Sequence, residues 1–211
     1  MNYNDILNKR VSKIPPSGIR KFFDLAATMD DVISLGVGEP DFCTPWSIRE
    51  AGIYSLEKGR TFYTANSGLL ELRRELCKYF ERKYKVSYDY NSEVLVTVGG
   101  SEAIDLMIRC IIEDGDEVLI PEPCFVCYKP CTELSRGVPV SIETKEEDNF
   151  RLTAEQLRSK ITDKTKLLIL PFPNNPTGAV MSQKDLEEIA EVLRGTDIMV
   201  LSDEIYAELR Y

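Results

Sequence analysis

The sequence has no histidine, no surplus of positive charge and no long apolar run. With 26 Lys and Arg against 35 Asp and Glu, the formal net charge is −9. The chain therefore has no basic field for nucleic acid or an anionic membrane, and we expect neither as a partner. No apolar run approaches the ~18 residues that span a membrane, and the amino terminus lacks the apolar core of a signal peptide. We therefore expect a cytoplasmic protein with reduced thiols.

Three of the six cysteines are close together in the sequence Cys124-Phe-Val-Cys127-Tyr-Lys-Pro-Cys131. A Cys-x-x-Cys pair with a third thiol nearby can bind zinc or an iron–sulfur cluster. Because the chain has no histidine and no second Cys-x-x-Cys, a further ligand would have to come from a distant thiol or carboxylate. We expect these thiols to be packed within the fold, and we predict no metal site.

What the chain does contain is the pattern of an α/β protein. Its 211 residues are 43% hydrophobic and 29% charged, which suits a globular chain that buries a core. From about residue 93, apolar runs bounded by turns alternate with amphipathic stretches, and this alternation predicts a mainly parallel sheet with helices on both faces. Strands are predicted at 93–98, 117–120, 139–142, 166–170 and 197–202, and helices at 101–113, 125–134, 153–161 and 182–194. The first ninety residues predict an arm and outer layer, with helices after residue 17 and near 47–56 and 68–85.

Ligands of open parallel sheets bind beyond the carboxyl ends of the strands, and unusual residues stand at three such ends. The first is Gly99-Gly100-Ser101-Glu102, which opens a predicted helix. Glycine lets a ligand approach the backbone closely, and the free amides of a helix amino terminus favour an anion such as a phosphate. The alternative is a tight turn with a serine near the cap, and this segment by itself leaves both interpretations open.

The second strand end carries Asn174-Asn175-Pro176-Thr177-Gly178. Proline and glycine make this an ordered loop, so one asparagine amide can be held toward the strand end to bond a ligand oxygen. In the alternative interpretation the asparagine only satisfies its own backbone in an Asx turn.

At the third strand end, Asp203 follows a strongly apolar strand, where a carboxylate needs a cationic or protonated partner. Tyr206 can present its phenol to the same ligand, although a capping aspartate beside a packed tyrosine is the alternative. A ligand with a phosphate, a ring oxygen and a protonatable ring nitrogen would use all three strand ends. Pyridoxal 5′-phosphate has these groups, and an aromatic side chain from the segment 123–128 can stack on its ring.

The chain resembles the class I/II aminotransferases, the fold-type-I pyridoxal-phosphate enzymes of the aspartate and aromatic type. Five motifs occur in family order: Ser34-Leu-Gly-Val-Gly-Glu-Pro-Asp-Phe42, Tyr63-Thr-Ala-Asn-Ser-Gly68, Val98-Gly-Gly-Ser-Glu-Ala103, Asn174-Asn-Pro-Thr-Gly178 and Ser202-Asp-Glu-Ile-Tyr206. The resemblance implies a three-layer αβα fold of the PLP-dependent transferase type, incomplete at the carboxy terminus. It also implies that residues 1–46 form an amino-terminal arm and part of the small domain, and residues 47–211 the first part of the large cofactor-binding domain.

The resemblance also implies a role for each residue that matches a family motif. Backbone amides at Gly100, Ser101 and Glu102 would hold the cofactor phosphate, and Phe125 would stack on the pyridine ring. Asn175 and Tyr206 would bond the ring hydroxyl oxygen, and Asp203 would pair with the pyridinium nitrogen. In a homodimer, Tyr63 would reach the phosphate of the neighbouring subunit's cofactor. Gly38 would lie by the substrate carboxylate, and Ile19 would border the substrate side chain.

The catalytic lysine of the family is missing from these residues. Family members carry their Schiff-base lysine, and then an arginine for the substrate carboxylate, after the Asp-x-x-Tyr motif, whereas only eight residues follow Asp203 and none is lysine. We expect that lysine to lie beyond Tyr211. The 211 residues are then the amino-terminal portion of an aminotransferase that moves an amino group from an amino acid to a 2-oxo acid, and we expect them to be inactive alone.

Two other functions share these motifs. A PLP-dependent carbon–sulfur lyase would release pyruvate without an acceptor 2-oxo acid. A non-catalytic aminotransferase-like domain of a regulator would carry a basic winged-helix segment upstream, and none precedes the motifs here.

Overall fold

The computed structural model describes residues 6–16, 18–26, 28–29, 31–33 and 42–209. The chain divides into two compact units, one made of Met1–Pro16 with Gly99–Tyr211 and the other of Ser17–Val98. The predicted division into residues 1–46 and 47–211 stays a prediction, because it refers to the small and large domains of a whole enzyme.

The unit formed by residues 17–98 is helical in its described part. It contains α1 (Ile19–Ala26), α2 (Trp46–Glu57) and α3 (Leu70–Tyr84), near the three predicted positions. Gly68, just before α3, has a φ of +96°, and a Cβ there would come within 2.6 Å of the Val96 Cβ. Buried Arg73 holds this turn by donating from Nε to the Gly68 carbonyl at 3.2 Å and from its guanidinium to the Tyr90 carbonyl.

The other unit alternates helices with strands, as the sequence predicts. Its elements are α4 (Gly100–Ile111), β1 (Glu117–Glu122), α5 (Tyr128–Leu134), β2 (Val138–Glu143), α6 (Ala154–Arg158), β3 (Thr165–Leu170), α7 (Gln183–Leu193) and β4 (Met199–Ser202). The four strands form one sheet in the order β2-β1-β3-β4, and all three neighbouring pairs are parallel.

Both faces of this sheet are covered, because β1 and β3 alternate their buried side chains between two cores. One core joins Ile104 and Ile108 of α4 to the sheet residues Val118, Ile120, Leu167 and Ile169. The other core joins Leu157 of α6 and Ile189 of α7 to the sheet residues Leu119, Ile142 and Leu168. Central parallel strands that are buried on both faces read as continuous apolar runs, and this confirms the predicted α/β class with its three layers.

One predicted strand is wrong. Residues 93–98 form no strand, and Leu95 and Val98 are exposed. The Val96 N–H donates instead to the Ser67 carbonyl at 3.1 Å. An apolar run becomes a strand only beside another strand, and no strand among the described residues pairs with this segment. The helix predicted from residue 125 also begins later, at Tyr128.

None of the described helices is both long enough and apolar enough to cross a membrane.

Candidate functional site

One cavity lies at the carboxyl ends of the strands, where the amino terminus of α4 meets the segments that follow β1, β3 and β4. Because parallel strands end at the same edge of a sheet, residues far apart in the sequence converge there. The cavity is lined by Gly100, Ser101, Ile104, Phe125, Tyr128, Pro171, Pro173, Asn175, Asp203, Ile205 and Tyr206. Six residues predicted for the cofactor are in this set: Gly100, Ser101, Phe125, Asn175, Asp203 and Tyr206.

The amino terminus of α4 presents backbone amides to this cavity. Gly99 is the N-cap and makes no side-chain cap hydrogen bond. The first bonds of the helix run from the N–H groups of Glu102 and Ala103 to the Gly99 carbonyl, at 3.1 and 3.3 Å. The amides of Gly100 and Ser101 therefore precede the first intrahelical hydrogen bond, as an anion at a helix amino terminus requires. A Cβ on Gly100 would meet only the Ile205 side chain, at 3.9 Å, so this backbone lies open to a ligand.

The Asp203 carboxylate is held at both of its oxygens. The Tyr128 hydroxyl donates to Oδ2 at 2.8 Å, and the Ile205 N–H donates to Oδ1 at 3.2 Å. The segment after Asp203 is a turn, so Asp203 caps no helix within the described residues. The cap interpretation is therefore wrong for this residue, whose carboxylate lines the cavity instead.

Tyr128 is a site residue that the sequence reasoning missed. It is buried in the core beside α4, and its hydroxyl reaches the cavity. Burial raises the pKa of the phenol well above its usual value, and the hydrogen bond to Asp203 raises that pKa further. The phenol therefore stays protonated and keeps donating to the carboxylate. The available signal was a second aromatic residue three positions after Phe125, in the segment that follows β1.

The two asparagines of the loop after β3 have different roles. Asn174 is buried, and its Oδ1 accepts from the Thr177 hydroxyl at 2.9 Å and from the Thr177 N–H at 3.3 Å. Asn175 faces the cavity, and its Nδ2 donates to the Tyr206 hydroxyl at 3.2 Å. The side chain of Asn174 therefore bonds within its own loop, to Thr177, whereas the amide of Asn175 and the phenol of Tyr206 are paired at the site.

Phe125 lines the same cavity and meets the Tyr128 ring edge to face, with the ring centroids 6.0 Å apart. The neighbouring thiols of Cys124, Cys127 and Cys131 are free, half-buried and packed against the core, as expected. Burial raises the pKa of Cys124 to about 11. Within the described ranges, no three Cys, Asp or Glu side chains are arranged to hold a metal ion.

Two predicted residues, Glu102 and Tyr63, do not line the cavity, and two more are not fully described. Glu102 is exposed in the first turn of α4 and does not line the cavity. Tyr63 belongs to the helical unit of residues 17–98 and is fully exposed. Gly38 lies outside the described residues, as does the side chain of Ile19.

The fold is that of the pyridoxal-phosphate-dependent transferases. The family model of aminotransferase class I and II matches residues 30–211, so the chain belongs to that family.

Individual relatives agree with this assignment. The chain is 53% identical to YugH of Bacillus subtilis, which is named as an aminotransferase, over 97% of this chain and 53% of that protein. It is 44% identical to aromatic-amino-acid aminotransferase 2 of Thermococcus litoralis, with the same two shares covered. Among solved structures, the aspartate aminotransferase of Rhizobium meliloti superposes with a TM-score of 0.91 at 34% identity, over 97% of this chain and 52% of that one. The chain thus spans about half the length of the relatives it matches and corresponds to their amino-terminal part.

Proposed function

We propose that these residues form most of the cofactor site of a pyridoxal-phosphate-dependent aminotransferase. The observation that carries the proposal is that an anchored carboxylate, an amide–phenol pair, an aromatic face and a helix amino terminus converge on one cavity. These groups match, one for one, the ring nitrogen, the ring oxygen, the ring face and the phosphate of that cofactor.

Different residues of the chain would contact different groups of the cofactor. The amides of Gly100 and Ser101, with Glu102 in the same turn, would receive the phosphate, because a helix amino terminus favours an anion. Phe125 would lie against the ring. Asn175 and Tyr206 already bond one another, and both can turn a donor toward the ring oxygen.

Asp203 would take the ring nitrogen. A carboxylate within hydrogen-bond reach favours the protonated form of a ring nitrogen. When bound, the cofactor supplies an electron sink that makes the α-proton of an amino acid removable, and a protonated ring nitrogen preserves that capacity. Asp203 would keep the ring nitrogen protonated, and its carboxylate is oriented by hydrogen bonds from Tyr128 and the Ile205 backbone.

The remaining parts of the proposal rest on the family. Gly38 and Ile19 would contact an amino acid or a 2-oxo acid, and Tyr63 would reach the cofactor of a second subunit in a homodimer. The fully exposed phenol of Tyr63 is available for such a contact. We also propose a cytoplasmic location, in keeping with six free thiols.

The test is the variant Asp203→Ala in the full-length protein, with Asp197→Ala as the matched control, since exposed Asp197 lies just before β4. We expect Asp203→Ala to weaken cofactor binding and to abolish amino transfer from an amino acid to a 2-oxo acid, while the control keeps both. The proposal would be overturned if Asp203→Ala kept both the cofactor affinity and the amino-transfer rate of the wild type. Pyruvate release without an acceptor would favour the lyase, and absence of any turnover in the wild type would favour a non-catalytic domain.

A further inference from the structure

We propose that Tyr128 is a positioning residue, which orients Asp203 for the ring nitrogen of the cofactor. The inference rests on the proposed function and adds a residue to it. Its basis is the hydrogen bond of 2.8 Å from the Tyr128 hydroxyl to the Asp203 Oδ2, which joins the start of α5 to the end of β4 across 75 residues of sequence.

The phenol is placed by the core and has little freedom to move. Tyr128 is 2% exposed and belongs to the core formed by α4 and the sheet. Its carbonyl accepts from the buried Thr132 hydroxyl at 2.9 Å, and its ring meets Phe125 edge to face. A close-packed ring of this kind holds its hydroxyl at a fixed point.

Because the phenol is fixed, its hydrogen bond also fixes the position of the Asp203 carboxylate. The Tyr128 hydroxyl holds Oδ2 and the Ile205 N–H holds Oδ1, so both the rotation and the tilt of the Asp203 carboxyl are constrained before any ligand arrives. A ligand that pairs with Asp203 then meets an anion already oriented, and it loses less entropy on binding.

Tyr128 also connects two parts of the site. The same ring that bonds Asp203 packs against Phe125, the residue proposed for the ring face. Loss of the whole Tyr128 ring would therefore act on the cofactor through Asp203 and Phe125, whereas loss of the hydroxyl alone acts through Asp203 and leaves the ring contact with Phe125 in place.

The test is a double-mutant cycle in the full-length protein, with the dissociation constant of pyridoxal 5′-phosphate as the measurement. Tyr128→Phe removes only the hydroxyl, and we expect it to weaken binding about 10-fold, the typical effect of a lost hydrogen bond to a charged group. In an Asp203→Ala background the same substitution should change binding less than about 2-fold, because the group through which Tyr128 acts is already absent. Equal weakening in both backgrounds, or no weakening in either, would overturn the proposal.

A structural role and a positioning role are separated by a control and a spectroscopic readout. Ser135→Ala removes another buried hydroxyl, at the end of α5, which makes no hydrogen bond to the described residues. We expect this variant to leave cofactor affinity within about 2-fold of the wild type. The ¹⁵N chemical shift of ring-labelled cofactor, at one fixed pH, should move toward the unprotonated value in Tyr128→Phe and stay in place in Ser135→Ala. If the ¹⁵N chemical shift moved equally in both variants, Tyr128 would act only as a core residue and the proposal would fail. If Asp203→Ala alone leaves binding unchanged, the proposed function fails instead.

Discussion

Gly137, in the turn between α5 and β2, is packed closely on the side where a side chain would project. A Cβ there would lie 2.6 Å from the Ile112 Cγ2, 3.1 Å from the Thr132 Cγ2 and 3.2 Å from the Asp116 carbonyl oxygen. Since one of these neighbours is backbone, the structure has to shift to admit a methyl group. We expect Gly137→Ala to lower the free energy of unfolding by about 1–3 kcal/mol, the usual cost of overpacking, as measured by urea denaturation.

A second glycine supplies the control for this experiment. Gly52 lies inside α2 with nothing within 4 Å of its ideal Cβ. Alanine is a better helix former than glycine by about 1 kcal/mol, so Gly52→Ala should raise stability or leave it unchanged. A loss of stability in both variants would mean that the packing around Gly137 is not the cause.

At single residues, the sequence predicted the kinds of side chain at the site better than their individual roles. It indicated Asp203, Tyr206 and the asparagine loop, because polar groups after buried strands are unusual. It left open which asparagine makes the turn, since Asn174 and Asn175 are adjacent and chemically identical. It missed Tyr128, because a buried tyrosine looks like a core residue until its hydroxyl is placed 2.8 Å from a carboxylate 75 positions away.

Helix α7 begins with a capping box that also ties two elements together. The Ser182 hydroxyl accepts from the Asp185 N–H at 3.2 Å, and the Asp185 carboxylate accepts from the Ser182 N–H at 2.8 Å. The same carboxylate accepts from the Arg151 guanidinium, near α6, at 2.9 and 3.0 Å. The Ser182 hydroxyl also donates to this carboxylate, at 2.7 Å. This bond lowers the pKa of Asp185 below its usual value, and the bonds from the Ser182 N–H and from Arg151 lower it further.

We expect Asp185→Ala to lower the free energy of unfolding by about 1 kcal/mol at pH 7, the typical loss of a cap. Because the pKa of Asp185 is lower in the folded state, its stabilisation is present above the unfolded pKa of about 4 and is lost as the pH falls below it. The difference between wild type and variant should therefore shrink in urea titrations at acidic pH. Glu188→Ala is the control, since its contact with Lys184 is long, at 3.7 Å, and exposed. A constant difference at every pH would contradict this account.

At the scale of elements, the sequence predicted those that depend on local signals. Thr153 and Ser182 mark the starts of α6 and α7, and both form complete capping boxes. The runs that became β1 and β3 are apolar enough to be buried on both faces. Residues 93–98 have the same pattern, but a strand depends on a hydrogen-bonding neighbour that no local pattern can show.

The whole molecule combines most of a proposed cofactor site with about half the length of its relatives. A ligand that binds only the folded state stabilises it, by about 2.7 kcal/mol at 100 times the dissociation constant. We expect pyridoxal 5′-phosphate to raise the unfolding temperature of residues 1–211, and Asp203→Ala to remove most of that rise. Residues 1–211 should nevertheless produce no amino transfer, since none of residues 204–211 is a lysine. Turnover by these residues alone, with cofactor and an amino donor, would refute the second expectation.

The free edge of strand β4 bears on any test of the proposed homodimer. It pairs with β3 on one side, no described strand pairs with its other side, and Met199 and Val200 are 47% and 41% exposed. An uncovered apolar strand is a template onto which a second chain can add its own strand. Residues 1–211 can thus associate through β4 in a manner unrelated to the pairing proposed for Tyr63. A dimer of residues 1–211 would therefore support the homodimer proposed for Tyr63 only if the substitution Tyr63→Ala dissociated that dimer.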